Sequence, residues 1–273
     1  MQNNKFTIIG GAGFLGSRLA SHLRSSGFIC TIPKKGDFDS LAGELGNVVY
    51  CAGTTSDFRS RPFDTVDAHV SLVNHILARS QYDSFTYLSS TRVYLRTKST
   101  SENAQIVVDP GDPEDLFNLS KLAGEALCRQ YVGRNVRAIR LSNVVGDNFS
   151  SNDFLFSIIR DAVTQKHVVL QTSPNSEKDY IRCDDAVELI GRIATHGTQP
   201  IYNLAVGANL TNSDVIGEVC QACGASVSFA PNVRTIRFPP IDVGLIQSEF
   251  GFNARPVLPL IRNLALLAMT SPS

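Results

Sequence analysis

Apolar positions along this chain alternate between a strand period and a helix period. A short apolar run at 6–9 reads as a strand, and 17–26 continues with helical spacing. Further strands are expected at 28–32, 47–51, 85–89 and 136–141, and helices at 38–45, 65–81 and 113–131. Within 65–81, Val66, Val70, Val73, Ile76 and Leu77 recur at helical spacing and are expected to share a face. Strands alternating with helices imply parallel crossovers, so the pattern predicts an α/β protein with a doubly wound parallel sheet. After Gly146 the rhythm changes. Polar loops at 147–152, 171–178 and 231–240 separate shorter elements. The expected division is a sheet domain at 1–147 and a smaller C-terminal lobe at 148–273, with segments of the lobe returning to the sheet.

Directly behind the first strand stands Gly10-Gly11-Ala12-Gly13-Phe14-Leu15-Gly16. Gly10 allows a tight strand-to-helix turn, Gly13 a close approach of backbone to a diphosphate, and Gly16 close packing of the helix on the sheet. The helix N-terminus adds free N–H groups and a positive dipole end. A plain turn is the alternative, but the position between strand and helix favours a dinucleotide site.

Composition narrows the class. The chain has 273 residues, 43% hydrophobic and 18% charged, with 25 basic and 25 acidic side chains. That balance suggests neither nucleic acid nor an anionic membrane as partner. No apolar run has the length of a membrane span, and the first run reads as strand rather than secretion signal. The six cysteines are scattered as core residues, which suits a reducing cytoplasm. Cys220 and Cys223 have metal spacing but neither a second pair nor a nearby histidine, so no metal is expected.

Further segments fall at strand ends on the side of the glycine loop, where open α/β sheets bind ligands. They are Cys51-Ala52-Gly53, Ser89-Ser90-Thr91-Arg92-Val93-Tyr94, and Phe117-Asn118-Leu119-Ser120-Lys121. Arg140-Leu141-Ser142-Asn143-Val144-Val145-Gly146 and Asp179-Tyr180-Ile181-Arg182-Cys183-Asp184-Asp185 follow. Together with the glycines these motifs resemble the extended short-chain dehydrogenase/reductase superfamily, in its nucleotide-sugar epimerase, dehydratase and ketoreductase branch. The resemblance covers nearly the whole chain. It implies a Rossmann-type sheet with a substrate-binding lobe.

It also implies a catalytic group at Ser90, position 117 and Lys121. Ser90 would hold the sugar oxygen. Lys121 would bond the nicotinamide ribose and lower a neighbouring phenol's pKa. The phenol is expected one helical turn before Lys121, and Phe117 stands there instead. Losing a general acid typically costs about 10²–10⁴ in rate. Three readings stay open: an engineered, inactive Tyr-to-Phe variant; another donor such as Thr91, Tyr94 or water; or a silent dinucleotide-binding protein. Retention of Ser90 and Lys121 favours the first.

In the family an acid near the end of the second strand binds the adenosine ribose when NAD is used. Here Lys34 and Lys35 occupy that place, and a lysine attracts a 2′-phosphate. The expected cofactor is therefore NADP(H), with NAD(H) as alternative. Asp37 and Phe38, in a stretch like the family's G-D-L-T-D, would neighbour the adenine. Phe14, Leu15 and Cys51-Ala52-Gly53 would line the same cleft. His69 replaces a common family Asn and reads as a buried structural residue. On the substrate side, Ser90 and Thr91 would meet the sugar, and Asn143, Lys178 and Arg237 its diphosphate. Arg234 is a weaker candidate than Arg237. Arg92 cannot act as a base at neutral pH, which disfavours sugar dehydration. The resulting expectation is NADPH-dependent reduction of a nucleotide-linked 4-keto-6-deoxy sugar. An NAD-dependent epimerase is the alternative, and a homodimer stays open.

Overall fold

The computed structural model describes residues 4–37, 39–54, 57–131 and 133–270. Phe38, expected beside the adenine, lies outside the described residues. The first half runs β1 (Lys5–Ile9), α1 (Phe14–Ser25), β2 (Ile29–Thr31), β3 (Asn47–Tyr50), α2 (Pro62–Val66), α3 (Leu72–Arg79), β4 (Ser84–Ser90), α4 (Leu116–Arg129) and β5 (Val136–Leu141). The second half runs β6 (Asn143–Val145), α5 (Phe154–Thr164), β7 (His167–Thr172), β8 (Glu177–Arg182), α6 (Cys183–His196), β9 (Ile201–Leu204), β10 (Asn209–Thr211), α7 (Asn212–Cys223), β11 (Ser226–Arg234), α8 (Gly244–Phe250) and α9 (Leu258–Thr270).

The central sheet has six parallel strands in the order β2-β1-β3-β4-β5-β9. The doubly wound expectation is thereby borne out. The direction of winding reverses between β1 and β3, and ligands bind open sheets at such a reversal, beyond the carboxyl ends of the strands. One face of the sheet packs on α1 and α6 through Phe6, Ile8, Leu19, Leu88, Ile139 and Ile190. The other packs on α3 and α4 through Val48, Tyr50, Ile76, Phe85, Tyr87 and Cys128. A separate core of α5, α7 and α9 covers β7 and β8. A three-stranded sheet β10-β8-β6 and a two-stranded sheet β11-β7 belong to this second region. No helix among the described residues is long and apolar enough to cross a membrane.

Several predicted boundaries shift for local reasons. The helix expected at 38–45 contracts to one 3₁₀ turn, Asp39–Leu41, ahead of Gly43 and Gly46. The 113–131 helix opens with a 3₁₀ turn capped by Asp112, whose carboxylate accepts the Glu114 N–H, and becomes α-helical at Leu116. The 171–178 loop is mostly strand, with a turn only at 173–176, and β11 runs through Pro231 with a shift of register.

The long helical segment differs most. One π turn, Asp67–Ser71, separates α2 from α3. The buried face runs through Thr65, His69, Val73 and Ile76, while Val66 is 39% exposed and Val70 is only half-buried. A π turn adds a residue and rotates what precedes it, so the expected Val66–Val70 stripe does not face the core.

Candidate active site

Two loops meet where the sheet winding reverses. Gly10 has φ +78°, and a Cβ there would stand 2.6 Å from the Ala52 backbone nitrogen. Both facts require glycine. At Gly16 a Cβ would stand 2.5 Å from the Gly10 carbonyl oxygen. This glycine thus lets α1 close on its own loop rather than on the sheet. Gly13 is exposed and opens α1 with no side-chain cap, and the first turn contains no acid. The N–H groups that begin the helix, from Phe14 through Gly16, are left to a ligand. Phe14 and Leu15 are half-buried against the core, and a Cβ on Gly146 would come within 2.7 Å of the Phe14 ring. Lys34 and Lys35 are exposed just past the end of β2. Asp37 is committed to the same turn: its N–H bonds the Lys34 carbonyl at 3.1 Å, and its carboxylate accepts the Ser40 N–H at 3.2 Å.

β4 ends at Ser90, whose Oγ accepts the Arg92 N–H at 3.2 Å and starts the 3₁₀ turn Thr91–Tyr94. Thr91 is buried, with Oγ1 3.5 Å from the Leu141 carbonyl. Tyr94 is fully buried. Its hydroxyl reaches Asn203 Oδ1 at 2.9 Å and accepts from Arg140 at 2.6 Å. Arg140 in turn pairs with Glu125 at 2.6 Å, and Glu125 accepts the Ser89 hydroxyl. Tyr94 therefore belongs to a buried structural network, which corrects its candidacy as proton donor.

Lys121 lies one turn beyond Phe117 on α4 and donates to the Leu88 carbonyl at 2.9 Å. Burial pulls its pKa down to about 7, with the nearby Cys51 and Glu125 opposing the shift. Cys51 itself is pushed up to about 12 by burial, against the pull of Lys121. A Cβ on Gly53 would stand 2.7 Å from His69 Nε2 and 3.4 Å from Lys121 Nζ, so these groups border one small space. Burial, then the Lys121 charge, lowers His69 to about 3. The imidazole is neutral at ordinary pH, with Nδ1 2.8 Å from Ser120 Oγ. Phe117 is only 7% exposed. Its ring lies 5.6 Å from Phe58 and 5.4 Å from the edge-on His69 ring. Lys121 Nζ is 5.9 Å from the centre of the Phe117 ring.

The substrate-side candidates separate into two kinds. Lys178 on β8 places Nζ 5.1 Å from the Phe154 ring and 5.2 Å from the Tyr180 ring. Burial lowers its pKa to about 8; Asp153 opposes this and Arg92 adds to it. Asn143 on β6 is exposed, and its amide donates one N–H to the Asp179 carbonyl at 2.8 Å, which leaves its second N–H and its oxygen for another partner. Arg237 is exposed, and its backbone bridges to Glu177, next to Lys178. Arg234 is exposed at the end of β11. Asp179 is structural: it accepts the Ser142 hydroxyl at 2.5 Å and the Val206 and Gly207 N–H groups at 3.0 and 2.7 Å.

With this geometry in hand, comparison with known proteins is decisive for kinship. The family model described as the NAD dependent epimerase/dehydratase family matches residues 6–205. The chain belongs to that family. A dTDP-glucose 4,6-dehydratase of Streptomyces griseus is 25% identical over 306 aligned positions, covering 94% of this chain and 91% of that protein. Among solved structures, RMD from Pseudomonas aeruginosa complexed with NADPH superposes with TM-score 0.78 at 18% identity, covering 97% and 99% of the two chains. MoeE5 in complex with UDP-glucose and NAD gives 0.80 at 19%, covering 97% and 98%. At such identities the structural likeness speaks for the fold. The epimerase/dehydratase family and its extended short-chain dehydrogenase/reductase architecture are those the motifs resembled.

Three groups of this epimerase/dehydratase-family site escaped the sequence reading. Phe58 and Arg59 precede α2, and Glu114 precedes α4. Arg59 and Arg92 both pair with Glu114, and both guanidinium groups lie over Phe58, at 4.4 and 5.7 Å. No motif spacing announces contacts between such distant segments.

Proposed function

We propose that this chain carries out NADPH-dependent reduction of a nucleotide-linked 4-keto-6-deoxy sugar. The observation that carries the reading is the retained pair, Ser90 at the end of β4 and Lys121 on α4, beside an uncapped α1 N-terminus. That terminus fits a dinucleotide diphosphate: it offers N–H groups, a positive dipole end and no competing acid. Residues 1–147 would hold the dinucleotide and 148–273 mainly the nucleotide sugar. Lys34 and Lys35 would face a 2′-phosphate, which favours NADPH over NADH. Bound there, a nicotinamide dinucleotide supplies or removes a hydride at a sugar carbon. Lys121 would hold the nicotinamide ribose, and Ser90 would orient and polarise the sugar oxygen. Lys178, the second amide N–H of Asn143 and Arg237 would meet the diphosphate.

Support comes from the family, whose description names epimerases and dehydratases, and from neighbours bound to NADPH or to NAD with a nucleotide sugar. Dehydration is disfavoured because Arg92 stands where an acid or base would be needed and is paired with Glu114. An NAD-dependent epimerase is the second reading, since an epimerase uses the same hydride position. Incubation with NADPH and 4-keto-6-deoxyhexoses linked to dTDP, GDP, UDP or CDP separates the two. One NADPH consumed per sugar reduced supports the proposal. A change of sugar configuration with NAD and no net cofactor turnover points to the epimerase. Cofactor binding with neither reaction leaves a silent binding protein.

A further inference from the structure

Cationic donors gather around the proposed sugar end of this cleft, and Arg92 is one whose buried Nε is left without a partner. Its backbone is fixed behind Ser90 by the N–H to Ser90 Oγ bond of 3.2 Å. Its guanidinium centre is 5.7 Å from the Phe58 ring, and that ring is 5.6 Å from Phe117. Arg92, Phe58 and Phe117 therefore form one continuous row of side chains that begins at the turn behind Ser90. Nη2 reaches Glu114 at 3.2 Å, but Nε is buried and has no hydrogen-bond partner. A buried N–H without an acceptor is rare in a folded protein, and here it leaves a charged donor uncommitted.

Charge points the same way. Glu114 is shared with Arg59, and Asp115, the other carboxylate near Arg92, is bonded to Arg96 at 3.0 Å. Lys178 is close enough for the Arg92 charge to lower its pKa. Glu114 is divided between two arginines, so Arg92 has a share of one carboxylate rather than a partner of its own.

We propose that Arg92 binds the oxygen of the reacting sugar carbon and stabilises negative charge there, a task for which the chain has no phenol at position 117. The proposal rests on the ketone-reduction reading above. As the carbonyl carbon gains hydride, the C=O π pair moves onto oxygen and the Arg92 guanidinium donates a hydrogen bond to it. Water then gives that oxygen a proton and leaves as hydroxide. The ketone is reduced and the dinucleotide oxidised.

A binding experiment tests this without turnover. Wild type and Arg92→Gln are titrated calorimetrically with 6-deoxyhexoses linked to dTDP, GDP, UDP or CDP, and with their 4-deoxy counterparts. In wild type, loss of the 4-oxygen should weaken binding about tenfold or more, as expected for a hydrogen bond to a charged group. In Arg92→Gln that penalty should shrink, since Ser90 alone is left to meet the oxygen. An equal penalty in both proteins overturns the proposal. Failure of all four nucleotides to bind wild type overturns the nucleotide-sugar reading itself. In turnover, Arg92→Gln should lower kcat about 10²–10³-fold, with KM raised no more than about tenfold. Guanidinium added to Arg92→Gly should restore part of the loss. A raised KM with kcat intact would assign Arg92 to the diphosphate instead.

Discussion

The two ends of the cleft are built differently. The end proposed for the dinucleotide is made of backbone: Gly10, Gly13 and Gly16 leave no room for, or no need of, side chains, and the helix N-terminus carries no acid. The end proposed for the sugar is made of side chains: Arg59, Arg92 and Lys178 bring positive charge among the aromatic rings of Phe58, Phe154 and Tyr180. Backbone recognition accepts any diphosphate of the right shape. Side-chain recognition selects, so under the proposed function specificity for the sugar would reside in the second end. Phe117 and Lys121 sit between the two, in a largely apolar setting where Lys121 loses much of its basicity.

The sharpest challenge to this division is to restore the missing hydroxyl. Phe117→Tyr should raise turnover of the keto sugar by at least about a hundredfold, because a positioned general acid contributes about 10²–10⁴. Steady-state NADPH oxidation is the assay, and an unchanged rate would place the proton source elsewhere. Next in size is cofactor choice. Lys34→Ala should weaken NADPH about tenfold to a hundredfold while leaving NADH unchanged, the value of a charge-assisted phosphate contact. Equal losses for both cofactors would move the 2′-phosphate away from this turn.

The smallest effect is a pH dependence of stability. Folded Lys121 titrates near 7, against 10.5 for a free lysine, so the unfolded chain holds more protons between those values. Stability should therefore rise with pH across that window, by up to about 1.4 kcal/mol per pH unit from this group. Below the window the full penalty of the buried charge applies. Denaturant unfolding of wild type and Lys121→Met should show the advantage of the methionine variant shrinking as pH rises. A constant difference would mean that Lys121 is charged in the folded protein throughout.

Much of the backbone-made end was legible in the sequence, because its determinants are local. Gly10 through Gly16 are contiguous, and the β5 boundaries at 136–141 follow directly from the apolar run. The helix before β4 was harder. Its π turn is held by Tyr50, whose hydroxyl bonds the Ala68 carbonyl, and by Tyr87, which reaches the His69 carbonyl at 3.3 Å. Gly124 fits against the same segment, where a Cβ would meet the His69 carbonyl at 2.7 Å. These tertiary contacts override the simple helical period that made Val66 look buried. Tyr94 failed as a donor for a similar reason: its partners Asn203 and Arg140 are remote in sequence. The Arg59–Glu114–Arg92 group joins three separate loops, and nothing in local spacing encodes it.

The division of the cleft is tested most directly by titrating Lys178→Ala with both ligands. Its affinity for the nucleotide sugar should fall about tenfold to a hundredfold, the worth of one charge-assisted phosphate contact. Its affinity for NADPH should match wild type, since the cofactor diphosphate would lie on the glycine loop. If NADPH binding falls as far as sugar-nucleotide binding, Lys178 serves the cofactor and the two-ended account is wrong.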